Sequence, residues 1–297
     1  MKQFPLNQFN PFNPFNPFNL LNPLNPPQSP QSPQSPQSLN HLQKMKITFL
    51  GTGTSTGVPV VACNCDVCTS DDPRDKRYRT SAMLTIGSSN IVIDCGPDFR
   101  IQMLKHKVED IDAVLFTHAH RDHIAGLDDI RAFNYILHKS IDIYGSQLTL
   151  DAIKEQFPYI FIPGRYFGAP QLNLHPITET AFSIGEFPFT PVEVMHQDMK
   201  VFGYRIGDFT YITDANYISP SELEKVRGSK VIVINALRNS RHVSHFSLSE
   251  ALDILNDLKP EKAYLTHISH FLGKFDAVEE KLPSWVHLAY DGLQIEV

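Results

Sequence analysis

Two pieces of this chain recur in the same order. Ile86-Gly87-Ser88-Ser89-Asn90-Ile91-Val92-Ile93-Asp94 is echoed by Ile206-Gly207-Asp208-Phe209-Thr210-Tyr211-Ile212-Thr213-Asp214, and each reads as a hairpin ending in Asp. Ala113-Val114-Leu115-Phe116-Thr117-His118 is echoed by Lys262-Ala263-Tyr264-Leu265-Thr266-His267, and each reads as a strand ending in Thr-His. One short apolar match is easily met by chance. Two in the same order predict related halves whose strand ends face one site.

The rest of the pattern agrees with a mixed α and β class. Lys46-Ile47-Thr48-Phe49-Leu50 reads as a strand that runs into the glycine-rich loop 51–57, and Val231–Ile234 as a short buried strand. Residues 98–106, 124–137, 148–156 and 247–258 carry helical spacing, the last opened by the capping signal Ser247-x-x-Glu250.

Composition is uneven along the 297 residues. Residues 1–44 hold ten of the 22 prolines, none of the 15 glycines, and tandem Asn-Pro-Phe and Gln-Ser-Pro runs. Each proline removes a donor and restricts its predecessor, so this stretch is expected to be a disordered, dispensable tail ahead of one catalytic domain at 45–297, with Met45 a candidate start. No basic, continuously apolar leader is present, and no stretch approaches the roughly 18 apolar residues that span a bilayer. A cytoplasmic location with no membrane partner is expected.

The formal net charge is -6, and Lys2 and Lys44 are the tail's only charges, so the remainder is more acidic still. General electrostatic binding of long nucleic acid is therefore not expected. A small phosphate substrate is not excluded by this, and the sequence is compatible with a homodimer.

The chemistry concentrates in His118-Ala119-His120-Arg121-Asp122-His123. Two imidazoles two residues apart leave a strand on one side, and the turn after them brings Asp122 and His123 alongside. Nitrogen and oxygen ligands crowded in this way suit Zn, Mn or Fe, and suggest two ions rather than one. Downstream, His196 follows the strand Val192–Met195, and Asp214 and His267 end the second echoed pair. A second cluster, Cys63-Asn64-Cys65-Asp66-Val67-Cys68, offers three thiolates, and His270, three residues past His267, is a candidate fourth ligand for one structural zinc. With no secretory leader a disulfide framework is not expected. Cys95, in an apolar strand, reads as an inert buried thiol.

The HxHxDH stretch resembles that of the metallo-β-lactamase superfamily, which implies a four-layer αβ/βα sandwich with a dinuclear centre at the sheet edges. By that resemblance His118, His120 and His196 would hold one divalent ion (Zn or Mn). Asp122, His123 and His267 would hold the other, with Asp214 bridging, and Asp94-Cys95-Gly96 would match the family position that orders the neighbouring loop. The Cys-x-Cys-x2-Cys cluster after a Gly-Thr-Gly loop, with His270, is further similar to the phosphoribosyl cyclic phosphate phosphodiesterase family over residues 45–297. That likeness implies hydrolysis of a small, cyclic or linear, ribose or nucleotide phosphodiester. Asp122 would orient the nucleophile, and His245, with His242 as its competitor, would contact phosphate and pass a proton to the leaving oxygen.

Other readings stay open. A thioester or lactam hydrolase of the same superfamily would use the same centre on a carbonyl. A tRNA 3′-end endonuclease would use it on RNA, although no Lys- or Gly-rich insertion offers a basic arm. A zinc-stabilised binding module would need only the Cys and His270 set, which leaves the His-rich stretch without a purpose.

Overall fold

Two mixed sheets face each other, with helices on both outer sides. The computed structural model describes residues 44–162, 164 and 168–297, so the expected disorder of the tail falls outside the described residues, apart from Lys44. The first sheet comprises β1 (Met45–Gly51), β2 (Ser81–Ile86), β3 (Ser89–Ile93), β4 (Ala113–Leu115), β5 (Ile141–Ser146), β6 (Leu172–Ile177) and β15 (Gln294–Glu296), in the order β15-β1-β2-β3-β4-β5-β6. The second comprises β8 (Phe187–His196), β9 (Met199–Ile206), β10 (Phe209–Tyr211), β11 (Tyr217–Ile218), β12 (Val231–Asn235), β13 (Lys262–Thr266) and β14 (Val286–Leu288), in the order β11-β8-β9-β10-β12-β13-β14, with β7 (Phe182–Ile184) paired to β8.

Strand alternation explains the layers, because successive side chains point to opposite faces. Ile47, Phe49, Leu84, Ile93 and Leu115 meet Phe189, Tyr204, Phe209, Val233 and Tyr264 between the sheets. The opposite face of the first sheet buries Leu50, Val92 and Val114 against α1 (Phe99–His106), α3 (Arg131–Leu137) and α4 (Gln147–Gln156). That of the second buries Val192, Ile232 and Leu265 against α7 (Leu248–Leu258) and α8 (Phe275–Glu279). The result is the expected four-layer sandwich.

Both echoed hairpins form. Each has a two-residue turn whose glycine, Gly87 or Gly207, takes a positive φ (60° and 56°), the conformation such tight turns require. The second half departs from the first in one respect. β3 pairs directly with β4, whereas β12 stands between β10 and β13. The Thr-His echo is therefore offset by one strand, and β12 takes the place that β4 holds in the first half.

The helix expected over 124–137 is broken. α2 spans Arg121–Ile124, a 3-10 turn spans Leu127–Ile130, and α3 begins at Arg131. Gly126 marks the break: its N–H donates to the Cys95 carbonyl at 2.9 Å, and a Cβ there would come within 2.1 Å of the Gly96 carbonyl. The close approach that docks this turn on the loop after β3 prevents a continuous helix. The Ser247–Glu250 capping box forms as read, opening α7.

Phe189 is fully buried between the sheets, its ring stacked on Phe182 at 5.6 Å. Phe189→Ala is expected to cost about 3–5 kcal/mol in urea denaturation. Ile136→Ser, at a position 71% exposed, should change stability by less than about 0.5 kcal/mol.

Candidate metal centre

The site sits where strands of both sheets end, and its geometry starts from Asp94, fully buried just past β3 with φ +62°. Its carboxylate accepts from the Thr117 N–H at 2.9 Å, from the Thr117 hydroxyl at 2.8 Å, and from His123 Nδ1 at 2.7 Å. Because the Thr117 hydroxyl proton goes to Asp94, its oxygen is free to accept from His118 Nδ1, 2.9 Å away. His196 Nδ1 donates to the Ser244 carbonyl at 2.7 Å. Each of these three imidazoles thus has its Nδ1 occupied by the protein, which leaves the Nε2 lone pair for another partner.

The Nε2 atoms of His118 and His123 are buried and have no hydrogen-bond partner among the described residues. Stranding a buried polar atom costs about 1–3 kcal/mol, so two side by side point to a group that they are built to receive. Ligand atoms of His118, His120 and His196 lie within 4.8 Å of one another, as do those of His118, His123 and Asp214. His120 is exposed, whereas His118 and His196 are buried. Asp214 Oδ2 lies 3.2 Å from His123 Nε2 and 3.1 Å from His267 Nδ1. Asp122 Oδ2 stands 3.3 Å from His123 Nε2.

The six His and Asp residues named for the two ions and the bridging Asp214 therefore converge. Two differ in detail from the expected grouping. His267 presents Nδ1 to Asp214, a nitrogen that also lies 3.3 Å from the Thr80 hydroxyl and 3.4 Å from that of Thr213. His245, expected as a phosphate contact and proton donor but not as part of the ligand set, packs into the cluster, with ligand atoms of His196, Asp214 and His245 within 4.8 Å of one another. Its buried Nδ1 is unpartnered, 3.8 Å from Asp214 Oδ1.

Electrostatics show what the cluster lacks. Burial lowers the pKa of His123, but Asp214, Asp94 and Asp122 together push it well above the ordinary histidine value. Burial works against ionisation of Asp214, yet His267 and His123 hold its carboxyl well below the usual range. Burial, then the neighbouring His123, lowers His118 well below its ordinary value. Carboxylates around imidazoles with free Nε2 atoms form a donor set for cations, and divalent ions fit it.

The loops hold this arrangement closely. A Cβ on Gly96 would lie 2.0 Å from the Asp122 carbonyl, which explains why the third residue after β3 is glycine. Asn235, buried at the end of β12, accepts from the Ala215 N–H and donates to the Ala215 carbonyl, both at 2.9 Å, and so fixes the turn after Asp214. Sequence reasoning missed Asn235, Thr117 as a relay and Ser244 as the acceptor for His196. Only Thr117 left a signal, as the Thr of the repeated Thr-His.

The cysteine cluster forms separately. The Sγ atoms of Cys63, Cys65 and Cys68 lie 3.4, 3.3 and 3.4 Å from His270 Nδ1. Hydrogen bonding from the Cys68 backbone, then His270, lowers the Cys65 thiol to about 6. Three sulfurs evenly disposed about one nitrogen suit a tetrahedral zinc. Burial raises Cys95 well above the ordinary thiol value, in keeping with an inert role. The segment that carries His267 and His270 is tied to the Gly-Thr-Gly loop by Ile268 N–H to Thr52 O at 2.9 Å and Thr54 N–H to Ile268 O at 3.3 Å.

Comparison with known proteins agrees with the fold. The Beta-lactamase superfamily domain matches residues 89–268. An octanoyltransferase of Porphyromonas gingivalis is 38% identical over 253 residues, 84% of this chain and 51% of that protein. A ribonuclease Z of Bradyrhizobium sp. strain ORS 278 is 29% identical over 140 residues, 44% of this chain and 45% of that protein. The chain thus spans about half the length of these curated relatives. Among solved structures, a diphosphatase of the PhnP family aligns with a TM-score of 0.81 at 36% identity, covering 86% of this chain and 98% of that one. Zinc-bound PqqB from Methylobacterium extorquens shares the fold, with a TM-score of 0.69 at 16% identity over 85% of this chain and 100% of that one.

Asp94→Ala should remove the partner of His123 Nδ1 and the acceptor that orients the Thr117 hydroxyl beneath His118 Nδ1, and weaken divalent-metal affinity about 10–100-fold in chelator competition. Unchanged affinity would contradict the orienting role.

Proposed function

Because this chain belongs to the β-lactamase superfamily, and brings together His and Asp groups that could hold divalent ions, we propose that it is a metal-dependent hydrolase of a small ribose or nucleotide phosphodiester. The observation that carries the reading is the buried Nε2 of His118, without a hydrogen-bond partner among the described residues, beside the buried Nε2 of His123, which faces the carboxylates of Asp122 and Asp214. The 36% identical PhnP-family diphosphatase supports phosphoester chemistry over carbonyl chemistry.

His118, His120 and His196 would hold one ion, and Asp122, His123 and His267 the other, with Asp214 between them. Bound there, such ions, Zn or Mn, would supply activation of water and neutralisation of charge on phosphate oxygens. Asp122, partly exposed in the first turn of α2, orients the attacking water. His245, packed against His196 and Asp214, contacts the phosphate. Burial and then His267 lower its pKa to about 2, so it enters as a neutral imidazole, and an incoming phosphate anion works in the opposite direction. In that setting His245 would take up the proton released by the attacking water and pass it to the leaving oxygen. The acidic balance of the chain fits ions, rather than a basic surface, as the source of anion binding.

The Porphyromonas gingivalis relative favours a second reading, in which the same centre hydrolyses an acyl thioester. Acyl transfer through a cysteine has no support in the site: Cys63, Cys65 and Cys68 surround His270, and Cys95 is buried with a raised pKa. Turnover of an octanoyl thioester in preference to phosphodiesters would select this reading.

His120→Ala and Asp214→Ala should each lower hydrolysis of bis(p-nitrophenyl) phosphate by the metal-loaded protein at least about 100-fold, roughly 3 kcal/mol of transition-state stabilisation. Wild-type rates in either variant would refute the assignment.

A further inference from the structure

A cavity of about 480 Å³ opens beside the metal centre, lined by Asn216, Arg241, His242, Val243 and Glu250. It is continuous with the site in sequence and space: Asn216 lies two residues past Asp214, and the ring centroids of His242 and His245 are 5.3 Å apart. Its volume falls in the range of small-molecule sites. We infer that this cavity receives the base of a nucleoside phosphodiester, so that the substrate class is nucleotidyl; this rests on the phosphodiesterase reading above.

The lining chemistry decides between a base and a second phosphoryl group. Glu250 places a carboxylate in the cavity, held in the ionised form by Ser247, whose N–H and hydroxyl donate to Oε2 at 2.9 and 2.7 Å. Its Oε1 stands 3.5 Å from Arg241 Nε, so the pair is close to neutral overall. A second phosphate would meet that carboxylate, whereas an uncharged ring edge that offers both donors and acceptors meets a guanidinium, a carboxylate and an amide. Asn216 Oδ1 accepts from the Gln197 N–H at 2.6 Å, which leaves its Nδ2 as a donor. The flat His242 imidazole and the exposed Val243 supply surface on which a heteroaromatic ring stacks.

Arg241 is free to serve. Its side chain is 89% exposed, and its one ion pair among the described residues is the long contact to Glu250. Arg238 braces the loop from beneath, with Nη2 donating to the Arg241 carbonyl at 2.8 Å and Nε to the Ser240 carbonyl at 3.2 Å. The same loop carries Ser244, whose carbonyl holds His196, so base recognition and the metal cluster share one short segment.

Calorimetry on the metal-loaded protein tests the inference, with the four common nucleoside 5′-monophosphates and ribose 5-phosphate as probes. At least one nucleotide should bind about tenfold tighter than ribose 5-phosphate. That ratio should fall towards one in Arg241→Ala, and also in Glu250→Gln, which retains an acceptor for the helix cap. Ribose 5-phosphate binding as tightly as every nucleotide, or a full ratio in Arg241→Ala, would overturn it. Failure of the wild-type chain to hydrolyse bis(p-nitrophenyl) phosphate would instead defeat the diesterase reading, and the binding ratio would still report on the cavity.

Discussion

The carboxylate of Asp94 is the constraint from which the site follows. It lies fully buried at a strand end and meets three donors, the Thr117 N–H, the Thr117 hydroxyl and His123 Nδ1. A buried carboxylate is costly unless it is fully hydrogen-bonded, so the three contacts specify one arrangement of the two loops that supply them. That arrangement fixes the tautomer of His123 directly, and that of His118 through the Thr117 hydroxyl. The Nε2 atoms of His118 and His123 then converge on Asp214, that of His118 with no hydrogen-bond partner among the described residues and that of His123 facing the carboxylates of Asp122 and Asp214. Asp94, Asp214 and His267 all hold positive φ, a modest strain of the kind that collects at functional sites, tolerated here because both sheets fix the strands on either side.

Much of this was legible in the chain. Crowding of His118, His120, Asp122 and His123 after an apolar strand read as a ligand set, and the place of His270 three residues past His267 made it the candidate partner for Cys63, Cys65 and Cys68. The repeated hairpins gave both Asp positions. What could not be read was contact between loops distant in sequence. Ser244 reaches His196 across 48 residues, and Asn235 fixes the Asp214 turn across 20. Neither leaves a periodic trace, because a single hydrogen bond imposes no pattern on its neighbours. The broken helix after His123 has the same origin. Helical spacing over 124–137 is real, but Gly126 must approach the Gly96 carbonyl, and tertiary contact overrode local preference.

The offset in the echo has a mechanical consequence. With β12 inserted between β10 and β13, His267 arrives from one strand further away than His118 does, and meets Asp214 edge-on through Nδ1. The two halves thus deliver unlike ligand sets. The first supplies a dense run within one turn, while the second supplies Asp214 and His267 from separate strands, with His196 and His245 from flanking segments. The loop that holds His267 continues directly to His270, so the cysteine cluster stabilises the same segment that completes the main site. A structural ion there would tie the Gly-Thr-Gly loop and the end of β13 into one unit.

The account turns on two kinds of metal site in one chain, and metal stoichiometry addresses it most directly. Elemental analysis of the protein, reloaded with zinc and manganese and then desalted, should find about three divalent ions per chain, two at the His and Asp cluster and one at the cysteines. A single ion per chain, retained in His118→Ala and lost in Cys65→Ser, would contradict a dinuclear centre and the hydrolytic reading built on it.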